Sequence, residues 1–183
     1  MPKRAGTIGL LKPIRIAFWA VAASVAVIDL WTKHLVFLRL PRLDSEPIVI
    51  IDGFLRFVHS ENRGGVFGLA QGSWLWLVLA IGASVFVLWF AHKKETRGIW
   101  TQLALGLVLA GAIGNVYDRI MFGYVRDFID VYWRTHHWPA FNVADSGICV
   151  GALMLGIYAF FLEPKKPTAK TAGNKCKSSP RSR

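Results

Sequence analysis

Two aspartates, Asp127 and Asp145, are the residues of this chain whose type and setting most directly suggest chemistry. Both lie beside hydrophobic segments long enough to cross a bilayer, where a carboxylate is costly and usually has a function. If the fold brings them together, one carboxylate can take a proton from water while the other, protonated, polarises a carbonyl. That is aspartic protease chemistry. Neither the spacing of the two residues nor the hydropathy shows that they meet.

A structural interpretation of the same residues stays open. Asn142, three residues before Asp145, is typical of a helix N-cap with an acidic partner in the first turn, where the helix dipole favours negative charge. Asp127 and its neighbour Asp130 could equally be solvated loop acids. The residues alone therefore do not decide between a catalytic pair and a helix cap.

The composition predicts a membrane protein. Hydrophobic residues make up 54% of the 183 positions, and eight Trp and twelve Phe supply bulk for the lipid and its interface. The length leaves room for one compact domain. A soluble globular enzyme is excluded on these grounds.

Four apolar stretches, each near the roughly 20 residues that a spanning helix needs, predict the fold class. We expect an all-α membrane protein, a four-transmembrane-helix bundle, with helices at about 16–34, 74–91, 99–117 and 143–162 in a single domain, 1–163. The first stretch could instead be a cleaved signal peptide, because basic residues precede it, but its apolar character continues past any cleavage site. Residues 164–183 form a basic tail that we expect to be disordered.

The segment at about 35–73 predicts a β-rich loop outside the membrane. Residues 47–51 and 54–59 have the composition of two strands joined at a turn, which predicts a small extracytoplasmic β-sheet. The glycine-rich segment 62–68 allows close approach by a ligand, although a flexible turn explains it as well. A second outer connection carries Trp133 and Trp138 and is expected to form a periplasmic loop over the site.

Basic residues collect in the N-terminal tail, in the turn at 92–97 and in the C-terminal tail. The positive-inside rule therefore predicts that both termini are cytoplasmic and that Asp127 and Asp145 lie at the outer face. Topology and anionic lipid explain the net charge of +11, so no nucleic-acid partner is expected.

Polar residues near the outer ends of two helices recur at helical spacing. Asp29 and Lys33 stand four residues apart and can pair on one face, either as a helix-end ion pair or as the rim of an active cavity. Asn115, Asp118 and Arg119 likewise share one face of the third helix. The second group predicts a polar cluster at the end of that helix.

Taken in order, these motifs resemble the lipoprotein signal peptidase family, also called signal peptidase II, which are membrane-embedded aspartic proteases of bacteria. The resemblance covers about 16–162 and rests on Asp29, Lys33, Asn62, Gly64, Gly114, Asn115, Asp118, Arg119 and the segments 125–128 and 141–145. Gly65 and Val66 depart from the two small alanines that the family often has there. The shape of that loop is therefore not inherited.

The resemblance implies an intramembrane aspartic endopeptidase that removes the signal peptide from prolipoproteins by cleaving before the diacylglyceryl-modified cysteine. Asp127 and Asp145 would be its catalytic pair. Other residues would bind substrate or support the site: Asn62, Gly64, Asn115, Arg119, Asn142, Asp29 and Lys33. The expected partners are the prolipoprotein substrate and membrane lipid, and a monomer in the bacterial inner membrane is expected. No cofactor and no metal are expected, because the histidines lack metal-site spacing.

Two other classes of function are weaker alternatives. A small proton-coupled transporter or channel relays protons through acids near the bilayer midplane, whereas Asp118, Asp127 and Asp145 gather on one side. A non-enzymatic assembly factor would use its outer polar residues only for capping and pairing. Neither accounts for the ordered set of motifs.

Overall fold

The chain is mostly helical and carries a small antiparallel sheet in the computed structural model, which describes residues 7–64, 74–93, 96 and 98–162, with side chains from residue 15 onward. The basic tail, 164–183, and the glycine-rich segment from 65 lie outside the described residues. The helices are α1 (Thr7–Arg39), α2 (Leu75–Ala91), α3 (Ile99–Phe122) and α4 (Val143–Ile157), and a π-helical turn (Tyr158–Leu162) follows α4. The strands are β1 (Ile48–Ile51), β2 (Leu55–Asn62), β3 (Val125–Trp133) and β4 (His136–His137).

The predicted bounds hold closely for α2 and α4 but are too short for the other two helices. Helix α1 continues to Arg39 because Val36, in its last turns, is buried against the sheet residue Phe128. Helix α3 continues to Phe122, where Gly123 ends it in the left-handed conformation (φ 79°) and donates its N–H to the Arg119 carbonyl. The outer connections are correspondingly shorter than predicted.

Three described helical segments are long and apolar enough to cross a membrane: Arg15–Arg39, Ile99–Phe122 and Val143–Phe161. Helix α2 is equally apolar in character but has 17 residues. The helices are thus consistent with a membrane protein fold. At 17 residues, α2 is shorter than each of these three segments.

The sheet extends beyond the predicted hairpin. Among the described residues the strand order is β1-β2-β3-β4, and each pair of neighbours is antiparallel. Strands β1 and β2 confirm the hairpin, whereas the connection after α3, predicted to be a polar loop, forms the long strand β3 and the short strand β4 instead. Residues of both faces of β3 are buried, including Arg126, Asp127 and Phe128, so the usual polar and apolar alternation does not appear.

Helix α3 is the centre of the bundle, since α1, α2 and α4 all pack on it. Small residues let α4 approach closely: the Cα of Gly151 lies against the backbone of α3, where an added Cβ would be 2.6 Å from the Ala104 carbonyl oxygen. Gly156, further along α4, has nothing within 4 Å of such a Cβ. The two glycines therefore have different roles in the same helix.

We expect Gly151→Ala to destabilise the protein by about 1–3 kcal/mol, because the Ala104 backbone cannot move aside without separating α3 from α4. Gly156→Ala is the matched control, and it should be neutral or stabilising by up to about 1 kcal/mol through helix propensity. Thermal unfolding of both variants in the same detergent measures the difference. Equal melting temperatures would show that the contact at Gly151 does not constrain the bundle.

Candidate active site

Asp127 lies in the buried first half of β3. This strand begins directly after the Gly123 turn and pairs with β2, so that Asp127 is opposite Ser60 and Val125 is opposite Asn62. Only 2% of Asp127 is exposed to solvent. A carboxyl group held in a strand at this depth has a fixed position, unlike the solvated loop acid that the sequence also allowed.

Asp145 lies in the first turn of α4 and forms a capping box with Asn142. The Asn142 side-chain oxygen accepts the Asp145 backbone N–H at 2.9 Å, and the Asp145 Oδ2 accepts the Asn142 backbone N–H at 3.2 Å. The structural interpretation of this pair is thus confirmed. The capping box uses only the Oδ2 atom of the Asp145 carboxylate, so Oδ1 can accept a different hydrogen bond.

Two asparagine amides connect the aspartates. The Asn142 amide donates to Asp127 Oδ1 at 2.6 Å and contacts Asn115 Oδ1 at 3.3 Å, while the Asn115 amide donates to Asp145 Oδ1 at 2.8 Å. Asp127 and Asp145, 18 positions apart in the sequence, therefore belong to one hydrogen-bonded network. The fold thus brings together two residues whose proximity could not be predicted from the sequence.

The two carboxyl groups have different surroundings. Burial raises the pKa of Asp127 to about 7, and the nearby charge of Asp145 raises it as well, while hydrogen bonds from Asn62 and Asn142 and the charge of Lys33 oppose this. Asp145 is half-buried, and each of its carboxyl oxygens accepts an N–H. With a pKa near 7, Asp127 can both give and take a proton close to neutral pH.

Below the pair lies a cluster of buried charges. The Lys33 ammonium is 2.7 Å from Asp29 Oδ2 and 3.1 Å from Asp118 Oδ2, which confirms the predicted pairing of Asp29 with Lys33. Arg126 donates to Asp118 from its guanidinium at 2.7 Å and from its backbone N–H at 3.0 Å. Asp118 was predicted only to belong to a polar cluster at the end of the third helix, and neither Asp118 nor Arg126 was predicted to support the site. Their opposite charges on either side of the Gly123 turn are the signal that could have done so.

The remaining predicted residues, Asn62, Gly64 and Arg119, are connected by hydrogen bonds beside the site. Asn62 accepts the Gly64 backbone N–H at 3.1 Å, and Arg119 donates to the Gly64 carbonyl at 3.0 Å. Arg119 thus joins the end of α3 to the end of β2. Gly65 and Val66, which follow in the glycine-rich segment, lie outside the described residues.

A cavity of about 1090 Å³ opens beside the aspartates. Its polar end includes Asn62, Asn115, Arg119, Asp127 and Asp145, together with the Pro139–Phe141 segment that precedes α4. Its other end is mostly apolar and is formed by α2, α3 and α4: Trp76, Leu79, Ala80, Ala83, Val108, Ala112, Ile148, Cys149 and Val150. Such a site can hold a long apolar chain with its polar end at the carboxyl groups.

In the described part of the chain, no group of three or more His, Cys, Asp or Glu side chains could hold a metal ion. The polar side chains that line the cavity instead include the carboxyls of Asp127 and Asp145, the amides of Asn62 and Asn115 and the guanidinium of Arg119. This set can transfer protons and orient a peptide through hydrogen bonds.

Comparison with known proteins gives a consistent family. A family described as signal peptidase (SPase) II matches residues 21–161. Lipoprotein signal peptidases of Solibacter usitatus and Polynucleobacter necessarius are 41% and 39% identical to this chain, over 87% and 76% of its length and 98% and 86% of theirs. A solved bacterial membrane enzyme has a TM-score of 0.68 at 25% identity, with 96% of each chain covered.

We expect the stabilising contribution of the Asp127 proton to be lost as the pH rises from about 4 to about 7. The pKa of Asp127 is 3.8 for a free side chain and about 7 in the fold, so over this range the unfolded chain releases a proton that the folded chain keeps. Asp127→Asn should therefore unfold at a similar temperature to the wild type near pH 4 and at a higher one at pH 8.

Thermal unfolding in detergent across this pH range measures the effect, and Asp52→Asn, at an exposed acid of the β1–β2 turn, is the control. Asp52→Asn should follow the wild type at every pH. If Asp127→Asn also does so at pH 8, burial does not hold a proton on Asp127.

Proposed function

This chain belongs to the signal peptidase II family and removes the signal peptide from prolipoproteins, and we propose that it does so as an aspartic endopeptidase with Asp127 and Asp145 as its catalytic pair. The observation that carries the proposal is the hydrogen-bonded network of Asn115 and Asn142, which holds both carboxyl groups at the polar end of one apolar cavity. The family match gives no support to the transporter alternative.

The different surroundings of the two acids support a division of roles. In its protonated form Asp127, whose pKa is about 7, donates a hydrogen bond to the carbonyl oxygen of the scissile peptide, and Asp145 removes a proton from the attacking water. Asp127 gives its proton to the carbonyl oxygen as the tetrahedral intermediate forms. When it collapses, Asp145 protonates the leaving amine and a hydroxyl proton returns to Asp127, so the pair ends as it began.

The cavity supports a lipid-modified substrate. We propose that cleavage occurs just before a diacylglyceryl-modified cysteine, with the signal peptide and acyl chains in the groove that α2 and α4 form over α3. Among the described residues α2 packs on α3, and residues of α2, α3 and α4 together line the cavity. Small residues, Ala80, Ala83 and Ala112, leave it wide enough for apolar chains.

Polar residues at the mouth would hold the peptide next to the acids. The hydrogen bonds of Arg119 within the described residues go to backbone carbonyls, of Gly64 and Asn115, so its guanidinium charge is available to substrate carbonyl groups. Asn62 also lines the cavity and contacts Asp127. These positions support roles for Asn62 and Arg119 in binding substrate, for Gly64 in holding those two side chains, and for Asn115 and Asn142 in orienting the pair.

We further propose four membrane spans in one domain, 1–163, acting as a monomer in the bacterial inner membrane. At 17 residues, α2 is about 25 Å long, close to the hydrocarbon thickness, and Trp74 and Trp76 at its start suit the interface. Four spans put both termini in the cytoplasm, where their basic residues are favoured, and the aspartates at the outer face.

Replacing either acid should abolish cleavage. Asp127→Asn and Asp145→Asn keep the size of each side chain but remove its ability to exchange a proton, so turnover of a purified diacylglyceryl-modified prolipoprotein should fall by about 10³-fold or more. Asp52→Asn serves as the control for loss of a carboxylate. Near wild-type turnover by either folded variant would refute the catalytic pair.

Filling the groove should weaken substrate binding without harming the acids. Ala83→Phe adds a ring to the cavity wall on α2, so KM for the lipid-modified substrate should rise about tenfold while kcat changes little. Val85→Phe is the matched control, because Val85 lies on the same helix, is 60% exposed and does not line the cavity. A rise in KM of the same size in both variants would argue against this groove.

A further inference from the structure

The ammonium of Lys33 is completely buried and lies within 3.2 Å of three oxygen-bearing groups. Two are the carboxylates of Asp29 and Asp118, at 2.7 and 3.1 Å. The third is different in kind: it is the neutral amide oxygen of Asn115, at 3.2 Å. The carboxylates account for the charge balance of the lysine, but not for its contact with Asn115.

Asn115 connects Lys33 directly to the proposed catalytic pair. Its Oδ1 accepts from Lys33 and from Asn142, and its amide nitrogen donates to Asp145 Oδ1 at 2.8 Å. A cation at the oxygen end of an amide fixes which end is the donor and polarises its N–H bonds. Lys33 is therefore one residue removed from Asp145.

The charge of Lys33 also reaches the other acid. It is among the influences that lower the pKa of Asp127 against the larger effect of burial. The ammonium thus contacts the support of one carboxyl group and acts through space on the other.

We propose that Lys33 is a positioning residue for the reaction, which acts through Asn115 to orient the Asp145 carboxylate and through its charge to set the proton affinity of the pair. This inference rests on the proposed function, because it assumes that Asp127 and Asp145 perform the cleavage. It assigns to Lys33 an effect on turnover that is separate from stability. The connection runs from Lys33 on α1, through Asn115 on α3, to Asp145 on α4.

The double variant Asp29→Asn/Lys33→Met tests this role while keeping the buried charge balanced. It removes one anion and one cation, and the new asparagine side chain retains an oxygen for the Ala144 backbone N–H that Asp29 now accepts at 2.8 Å. We expect kcat for a diacylglyceryl-modified prolipoprotein to fall about 10- to 100-fold with little change in KM. The alkaline midpoint of the pH–kcat profile should move to higher pH, because Lys33 is among the main charges that act on Asp127 and Asp29 is not, so that loss of the pair raises the pKa of Asp127.

The matched control is Asp118→Asn/Arg126→Gln, which removes the ion pair of Asp118 with Arg126. Asp118 also contacts Lys33, but the substituted side chain keeps an oxygen beside the ammonium, and the Lys33 contact with Asn115 stays in place. This control should lower the melting temperature but leave the alkaline midpoint where it is in the wild type. Equal shifts of the midpoint in both double variants would mean that the cluster acts as a whole, and would overturn the specific role of Lys33.

A second variant, Asp29→Asn/Lys33→Gln, separates the two parts of the proposal. The glutamine restores an N–H donor for Asn115 but no charge, so part of the lost kcat should return while the alkaline midpoint stays shifted. This variant also retains polar partners in the cluster, so it serves the test if the methionine variant does not fold. Absence of any midpoint shift in the folded glutamine variant would refute the electrostatic part.

A double-mutant cycle with Asn115→Ala tests the route. If Lys33 orients Asp145 through Asn115, the loss of kcat from the methionine variant should largely disappear in the Asn115→Ala background, whereas independent effects would multiply. Wild-type cleavage together with inactive Asp127→Asn and Asp145→Asn establishes the proposed function by itself. Wild-type kcat and midpoint in the methionine variant would then overturn only the inference about Lys33.

Discussion

The arrangement of this protein depends on compensation among four buried charges. A charged group loses its hydration when it is buried, and the loss is tolerable only if opposite charges and hydrogen bonds replace the water. Asp29, Lys33 and Asp118 are 0% exposed, and Arg126 is 6% exposed. The two anions and two cations therefore supply one another with the interactions that water would otherwise provide. None of the four can move far without leaving another uncompensated. The cluster therefore restricts how the elements that contain it can pack.

Those elements are the ones that hold the two aspartates. Asp29 on α1 accepts the Ala144 N–H at the start of α4, one residue before Asp145, and Asp118 on α3 accepts the Arg126 N–H on β3, one residue before Asp127. Gly114 makes the first contact possible, because a side chain at that position would overlap the Asp29 carboxylate. Each aspartate is thus held through the backbone of its neighbour. The buried charges fix the backbone, and the amides of Asn115 and Asn142 then fix the carboxyl groups.

The features predicted best from the sequence are those that depend on interactions between residues a few positions apart. Apolar runs gave the helices, and the spacing of Asp29 and Lys33 gave their ion pair, since both depend on residues a few positions apart. Strand β3 was missed because burial on both of its faces puts Arg126 and Asp127 next to apolar residues, so the run has no simple period. The aromatic and β-branched run from Phe128 to Trp133 was the available signal. The contact of Lys33 with Asn115 joins residues 82 positions apart, which no local pattern encodes.

The helix cap and the proposed catalytic pair are compatible because they use different atoms. A capping box needs the Asn142 oxygen, its backbone N–H and one oxygen of Asp145, which leaves the Asn142 amide nitrogen and the other Asp145 oxygen unused. The free nitrogen donates to Asp127, and the free oxygen accepts from Asn115. The first turn of α4 therefore fixes the position of one carboxyl group and supplies the hydrogen bond that holds the other. A cap at this place supports the proposed chemistry, because the interaction that starts the helix also sets the relation between the two acids.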